Sequence, residues 1–423
     1  MSLAAALAPR VVRLDDPGDL LGIAAALRRT PLFYFENPSR GTALLAAGAV
    51  AEIRASGPNR FGEAAEAARR LFADLPASDP PPLLIGGFAF SGESPRERAW
   101  REFPALRFVL PELTWIRRGR SVHLSRVGSA AEAPLPVPLP GESPAHALPR
   151  LGRAEDHGGR GRWRDAVQSA QRAIAAGRFG KVVIARRSTL HGDRPLEPAV
   201  LLAAARARRP ACTSFWIDAG ETSFIGSSPE LLLRLRGRRL ETEALAGSAP
   251  RGATADEDER LGEHLLGSEK ERREHELVVQ SIREALEPVA GSLVASSPPS
   301  LLRLPEALHL HTAVRAELDC STSLLEATGR LHPTAAVCGW PRIPAQAWIA
   351  DREGDRGWYS GAVGWIDAAG GGELVVALRC GLVDSGALCL WAGAGIVEGS
   401  DADSEFAETE AKLGALVETR ICQ

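Results

Sequence analysis

The stretch LLLRLRGRRLETEALAG, residues 231–247, reads as apolar strands folded back at a glycine, and it has company. FWIDAG (215–220), TSFIGSS (222–228), GWYSGAVGWID (357–367), GELVVALRCGLV (372–383) and ALCLWAGAGIV (387–397) are further strand-like runs joined by tight glycine-rich turns. Connections that short favour antiparallel pairing. Helical patterns fall in separate groups: Ala64 to Leu75, a run from Arg162 stopped by Gly177, Leu196 to Arg208, one long helix from Glu257 to Leu286, and the closing DSEFAETEAKLGALVETRI. Strands and helices segregated in this way predict an α+β fold.

Outward from these strands, residues 1–129 form an amino-terminal α/β part, with strand-like Leu83 to Phe90 and Leu106 to Leu113. Residues 130–161, rich in proline, glycine and small side chains and without a period, predict a surface linker. Residues 162–423 hold the remaining patterns. A chain of 423 residues that is 45% hydrophobic can bury a large core. A net charge of -3 and a pI near 6.4 offer no bulk attraction to nucleic acid or anionic lipid. Six cysteines without a C-x-x-C pair suggest neither zinc nor a disulfide framework. No stretch has the roughly 20 apolar residues of a membrane span, and no basic segment precedes the apolar run at the start. A cytoplasmic, monomeric protein is the expectation. Lysine and arginine number 50 together, yet only Lys181, Lys270 and Lys412 are lysine.

Two stretches place glutamates three apart on a helical pattern: Glu271 and Glu274 in SEKERREHELVV, and Glu405 and Glu408 in DADSEFAETEAKL. Residues i and i+3 share a helix face. If the two faces met, four carboxylates would form an all-oxygen site suited to magnesium; otherwise they are solvated surfaces paired with arginine. Lys181 opens the apolar strand KVVIA, where a charge is costly if buried. Lysine, unlike arginine, can shed its proton when desolvated and act as a general base; the alternative is a strand-end ammonium in water. Glu230, between SSP and LLLRL, stands where partial burial would keep a carboxyl protonated as a general acid, although a plain strand-start glutamate has the same pattern. LAGSAPRG, YSGAVG and WAGAGIV let backbone approach a ligand closely.

In order, KVVIAR, IGSSPELLL, TEALAGSAPRG, SEKERREHELVV, LHLHTAV, LHPTAAVCGWP, RGWYSGAVGWID, VALRCGLV and AGAGIVEGSDADSEFAETEAKL resemble the chorismate-utilising enzymes, covering nearly all of residues 180–415. PPLLIGGFAF and FPALRFVLPEL extend the resemblance to the amino-terminal part. The resemblance implies one large unit of two packed antiparallel β-sheets covered by helices, with chorismate as substrate in a buried site between them. It implies Glu274 and Glu408 as magnesium ligands supported by Glu271 and Glu405, and Lys181 and Glu230 as catalytic residues. Arg379 and Tyr359 match binders of the side-chain carboxylate, a task suited to a guanidinium fork. Lys412 matches a lysine near a substrate carboxylate, His309 a histidine beside the ring, and Gly393 and Gly395 donors of backbone amides. Gly247, Ser248 and Thr334 complete the implied substrate contacts. Lys270 matches nothing catalytic and is expected to be a solvated helix residue.

Members of this family differ in the nucleophile added at C2 of chorismate while the C4 hydroxyl leaves. Aminodeoxychorismate synthases commonly carry a lysine where this chain has Ala246, and anthranilate synthases a non-basic residue where it has Lys181. Water is therefore the expected nucleophile and isochorismate, from which menaquinone, siderophore and salicylate routes begin, the expected product. Salicylate synthases share Lys181 and Glu230 but go on to eliminate pyruvate; LHPTAAVCGWP and RGWYSGAVGWID look closer to isochorismate synthases. Ser248 stands where the family usually has threonine, and keeps the hydroxyl. A non-catalytic chorismate-binding relative and a metal-dependent enzyme acting on another acid are the remaining alternatives; the intact Lys181, Glu230 and four glutamates stand against the first.

Overall fold

A computed structural model describes residues 9–27, 29–128, 144, 148–156, 159–384 and 386–417. Two large antiparallel sheets form the frame. The first runs Arg10–Leu14, Ser121–Arg126, Leu113–Arg118, Thr42–Ala47, Leu32–Asn37, Thr213–Asp218, Ser223–Ser228, Cys380–Val383, Ala387–Ile396, Lys181–Gly192 and Gly339–Trp340. The second runs Ala290–Ala295, Ala307–Leu318, Arg239–Pro250, Leu231–Arg236, Gly372–Val376, Ala362–Asp367, Leu83–Phe88, Leu106–Leu110 and Ala51–Arg54. Strands from the first 126 residues enter both sheets, pairing with Thr213–Asp218 in one and Ala362–Asp367 in the other.

The stretch 231–247 behaves as its pattern predicts. It forms Leu231–Arg236 and most of Arg239–Pro250, turning at Gly237 with φ 59°, a left-handed conformation that glycine adopts without penalty. One core cluster joins the sheets: Phe33, Phe35, Phe215 and Phe224 come from the first, and Leu84, Phe88, Leu233 and Leu374 from the second. Phe103 bridges them, 5.9 Å from Phe224 and 5.3 Å from Trp358, edge to face in both cases. Such pairs contribute about 0.5–1.5 kcal/mol beyond burial alone. Helices cover the outer faces. Leu20–Leu27 and Pro198–Arg208 pack on the first sheet, Arg60–Ala73, Leu324–Leu331 and Glu269–Leu286 against the second, and Gly159–Ala175 and Ala402–Leu413 against the strands from Lys181 and Ala387.

Three expectations change. The long helix from Glu257 is two helices, Ala255–Gly267 and Glu269–Leu286. Ser268 between them is extended (φ -69°, ψ 116°) and its hydroxyl accepts from the Glu271 amide, so an N-cap, not a continuing turn, sets the direction of the second helix. The strand-like run Leu106 to Leu113 is likewise two strands, in different sheets. Within 130–161, Leu151–Asp156 is a strand that pairs with Lys181–Gly192, and a helix begins at Gly159; the linker reading of 130–143 and 145–147, like the helical reading beyond 417, lies outside the described residues. Gly177 does stop its helix, at φ 69° with its amide on Ile174 O at 2.8 Å. Among the described residues the cysteines are free thiols, and no helix is long and apolar enough to cross a membrane.

Candidate active site

One cavity opens between the sheets where the strands from Lys181 and Ala387 face the strands from Leu231, Arg239 and Ala307. The helices Glu269–Leu286 and Ala402–Leu413 close it. Lys181, Glu230, Gly247, Ser248, His309, Tyr359, Arg379, Gly393, Gly395 and Lys412 all line it, and so do Glu271, Glu274, Glu405 and Glu408.

The two helix faces meet. Both N-caps contribute: Ser268 caps one helix, and Asp401 caps the other through the Ser404 amide at 2.8 Å. Ser248 N–H donates to Glu271 Oε2 at 2.9 Å, fixing that carboxylate against the turn at Gly247, whose φ of 77° needs glycine. Burial, then the charges of Glu408 and Glu274, pushes the Glu405 carboxyl up to about 7, with Lys270 opposing. Burial also raises Glu408, but Lys412 beside it prevails and holds it below the usual carboxylate range. Ammonium groups partner all four carboxylates: Lys181 on Glu274 at 2.9 Å, Lys412 on Glu408, and Lys270 between Glu271 and Glu405. Four buried or half-buried carboxylates, of which Glu271 and Glu405 are raised first by burial and then by neighbouring carboxylates, form an all-oxygen donor set of the kind a hard divalent cation takes.

Lys181 is 1% exposed, held in register by Val182 opposite Ile396. Gly395 is needed here. A Cβ there would collide with the Glu274 carboxylate and lie 2.9 Å from Lys181 Cε. At Gly393 a Cβ would meet the Tyr359 hydroxyl at 2.9 Å, and the Gly393 carbonyl accepts from Lys412 Nζ at 2.9 Å. Glu230 is 4% exposed; burial, aided by Glu243, pushes its carboxyl up to about 8 against the pull of Arg379, Lys181 and Lys412. It is therefore a protonated acid at neutral pH.

Arg379 adopts φ 48°, a backbone that costs an L-residue about 1–2 kcal/mol. Glu306 holds its guanidinium at 3.1 Å and is itself held by Arg209 at 3.1 Å. The Arg379 guanidinium also donates to His309 Nε2 at 3.5 Å, while His309 Nδ1 lies 3.0 Å from Ser248 Oγ. A guanidinium can only donate, so Nε2 accepts, Nδ1 carries the proton and donates to Ser248, and the Ser248 hydroxyl is left to donate to Glu408. Burial, then Arg379 and Lys412, pushes the His309 imidazole down to about 3, so this neutral tautomer persists.

Two placements depart from expectation. Thr334 does not reach the cavity: it lines a neighbouring cleft with Leu331, Pro333 and Trp340, and Ala336 and Val337 form the cavity wall instead. The cause is a tight turn in which Thr334 O accepts from both Val337 N and Cys338 N. Lys270 is more than a solvated helix residue: though partly exposed, it lines the cavity and bonds Glu405 at 3.2 Å. Its signal was present in the rarity of lysine. Glu306, Glu243 and Trp391 also serve the site without any pattern that marked them.

Fold and site together define an enzyme of the chorismate-binding class. A family model for chorismate binding enzymes matches residues 8–132 and 141–419, and the chain belongs to that family. It is 38% identical over 424 residues to the salicylate biosynthesis isochorismate synthase of Pseudomonas aeruginosa, covering 95% of this chain and 88% of that one. It is 31% identical over 401 residues to isochorismate synthase DhbC of Bacillus subtilis, covering 91% and 92%. The solved structure of MenF, the menaquinone-specific isochorismate synthase from Escherichia coli, superposes with a TM-score of 0.82 at 28% identity, over 97% of this chain and 94% of that one.

Proposed function

We propose that this protein is an isochorismate synthase, interconverting chorismate and isochorismate with magnesium as its metal ion. The observation that carries the reading is the pairing, in one cavity, of a buried lysine with a buried glutamate whose carboxyl stays protonated. In its neutral, deprotonated form Lys181 takes a proton from water as the water oxygen bonds to C2. The two ring double bonds each move one place, the C4–O bond breaks, and Glu230 donates its proton to the departing hydroxyl, which leaves as water. Water enters and water leaves, so the reverse reaction exchanges the two roles.

Arg379, aimed by Glu306 and joined by Tyr359, binds the side-chain carboxylate of the substrate. His309, with its Nε2 lone pair turned to Arg379, packs beside the ring and has no free base to offer. Glu274 and Glu408 hold the metal, with Glu271 and Glu405 supporting them. When bound, magnesium supplies positive charge for the ring carboxylate. Ala246 offers no amine, which excludes a lysine nucleophile at that position. The product would feed routes such as those for which the Pseudomonas and Escherichia relatives are named.

The test is product analysis. Chorismate with magnesium should give a reversible mixture with isochorismate, separated by chromatography, without pyruvate. Stoichiometric pyruvate would move the assignment to a salicylate synthase, and anthranilate formed from ammonium salts would overturn the role given to Lys181.

A further inference from the structure

Lysine is so scarce in this chain that its three positions are informative, and all three face the same cavity. Lys181 and Lys412 have roles above. Lys270 has none, yet its Nζ lies 3.2 Å from Glu405 Oε1 and 3.4 Å from Glu271 Oε1, joining the two helices that supply the four carboxylates. Its side chain is 37% exposed, so the ammonium can swing to solvent and release Glu405, itself only 7% exposed, to a divalent ion. Arginine also bridges carboxylates here, as Arg206 does between Asp19 and Glu36, but through a planar fork of fixed geometry, whereas an ammonium is a compact point charge whose three donors rotate freely between two carboxylates.

We propose that Lys270 is a built-in counter-cation of the carboxylate cluster, competing with the divalent cation for Glu271 and Glu405 and so setting the affinity of the site. The proposal rests on the reading of the four glutamates as a cation site. Losing the Lys270 charge leaves the glutamates less compensated. Two consequences follow: a stronger pull on a divalent ion, and a fold that is weaker until that ion arrives.

Chelator-treated full-length protein titrated with Mn2+ by calorimetry, with thermal melts in parallel, tests this. Lys270→Gln should bind Mn2+ at least about threefold more tightly than wild type, melt lower without metal, and gain more on its addition. Arg272→Gln, which removes an exposed cation from the same helix turn, should change Mn2+ affinity less than about twofold. A Lys270→Gln protein whose affinity is unchanged or weaker overturns the proposal alone. Wild-type protein that binds no Mn2+ overturns both the cation-site reading and the proposal.

Discussion

The Lys181 ammonium lies 2.9 Å from Glu274 Oε1, so the first sheet and the helix Glu269–Leu286 meet where the proposed base touches a proposed metal ligand. Residues from distant parts of the chain thus share one hydrogen-bonding centre, and changes to either should be felt by both.

If Lys181 only supplied charge, Lys181→Arg would be harmless in a chain so rich in arginine. A guanidinium stays protonated and cannot act as a base. General-base catalysis contributes about 10² to 10⁴ in rate, so Lys181→Arg and Lys181→Ala should each lose at least about a hundredfold in kcat, with KM affected less. Steady-state kinetics on folded, magnesium-saturated protein decides it; near-normal turnover in Lys181→Arg would remove the lysine from the mechanism.

Glu230 ties activity and stability to pH. Its carboxyl, raised to about 8, stays protonated in the fold where the unfolded chain, near 4.5, ionises. The folded state therefore binds the extra proton. Between those values this residue costs about 1.4 kcal/mol of stability per pH unit as pH rises. Glu230→Gln should lack that slope, so its melting temperature relative to wild type should climb from pH 5 to 8, while kcat falls at least about a hundredfold. A parallel pH dependence of the two melting curves would show that the carboxyl is not held neutral.

Metal removal should be decisive for turnover. EDTA should abolish it and magnesium restore it, whereas full activity in chelated buffer would sink the metal reading. Glu274→Gln and Glu408→Gln should each raise the magnesium concentration for half-maximal activity at least about tenfold, since each loses a ligand and a balancing charge.

Gly395→Ala tests the close packing directly. The added Cβ reaches the Glu274 carboxylate and Lys181 Cε, so the pair must shift. Misplacing a catalytic group by an ångström can cost about a hundredfold, so kcat should drop by about tenfold or more, with circular dichroism unchanged. Unaltered kinetics would mean that the Lys181–Glu274 contact does not matter to the reaction.

The sequence by itself determined the class of fold, the strands around residues 231–247, the shared face of each glutamate pair, and the ordered motifs that resemble chorismate-utilising enzymes. These follow from local periodicity and spacing, which a chain carries along its length. Whether the face bearing Glu271 and Glu274 meets the face bearing Glu405 and Glu408 depends on how two helices far apart in sequence pack on two sheets. Only the tertiary structure decided that meeting, the break at Ser268, the turn that keeps Thr334 from the cavity, and the place of Lys270 between Glu271 and Glu405. The energy of a buried charge is set by the groups around it in space, and spacing along a chain does not contain them.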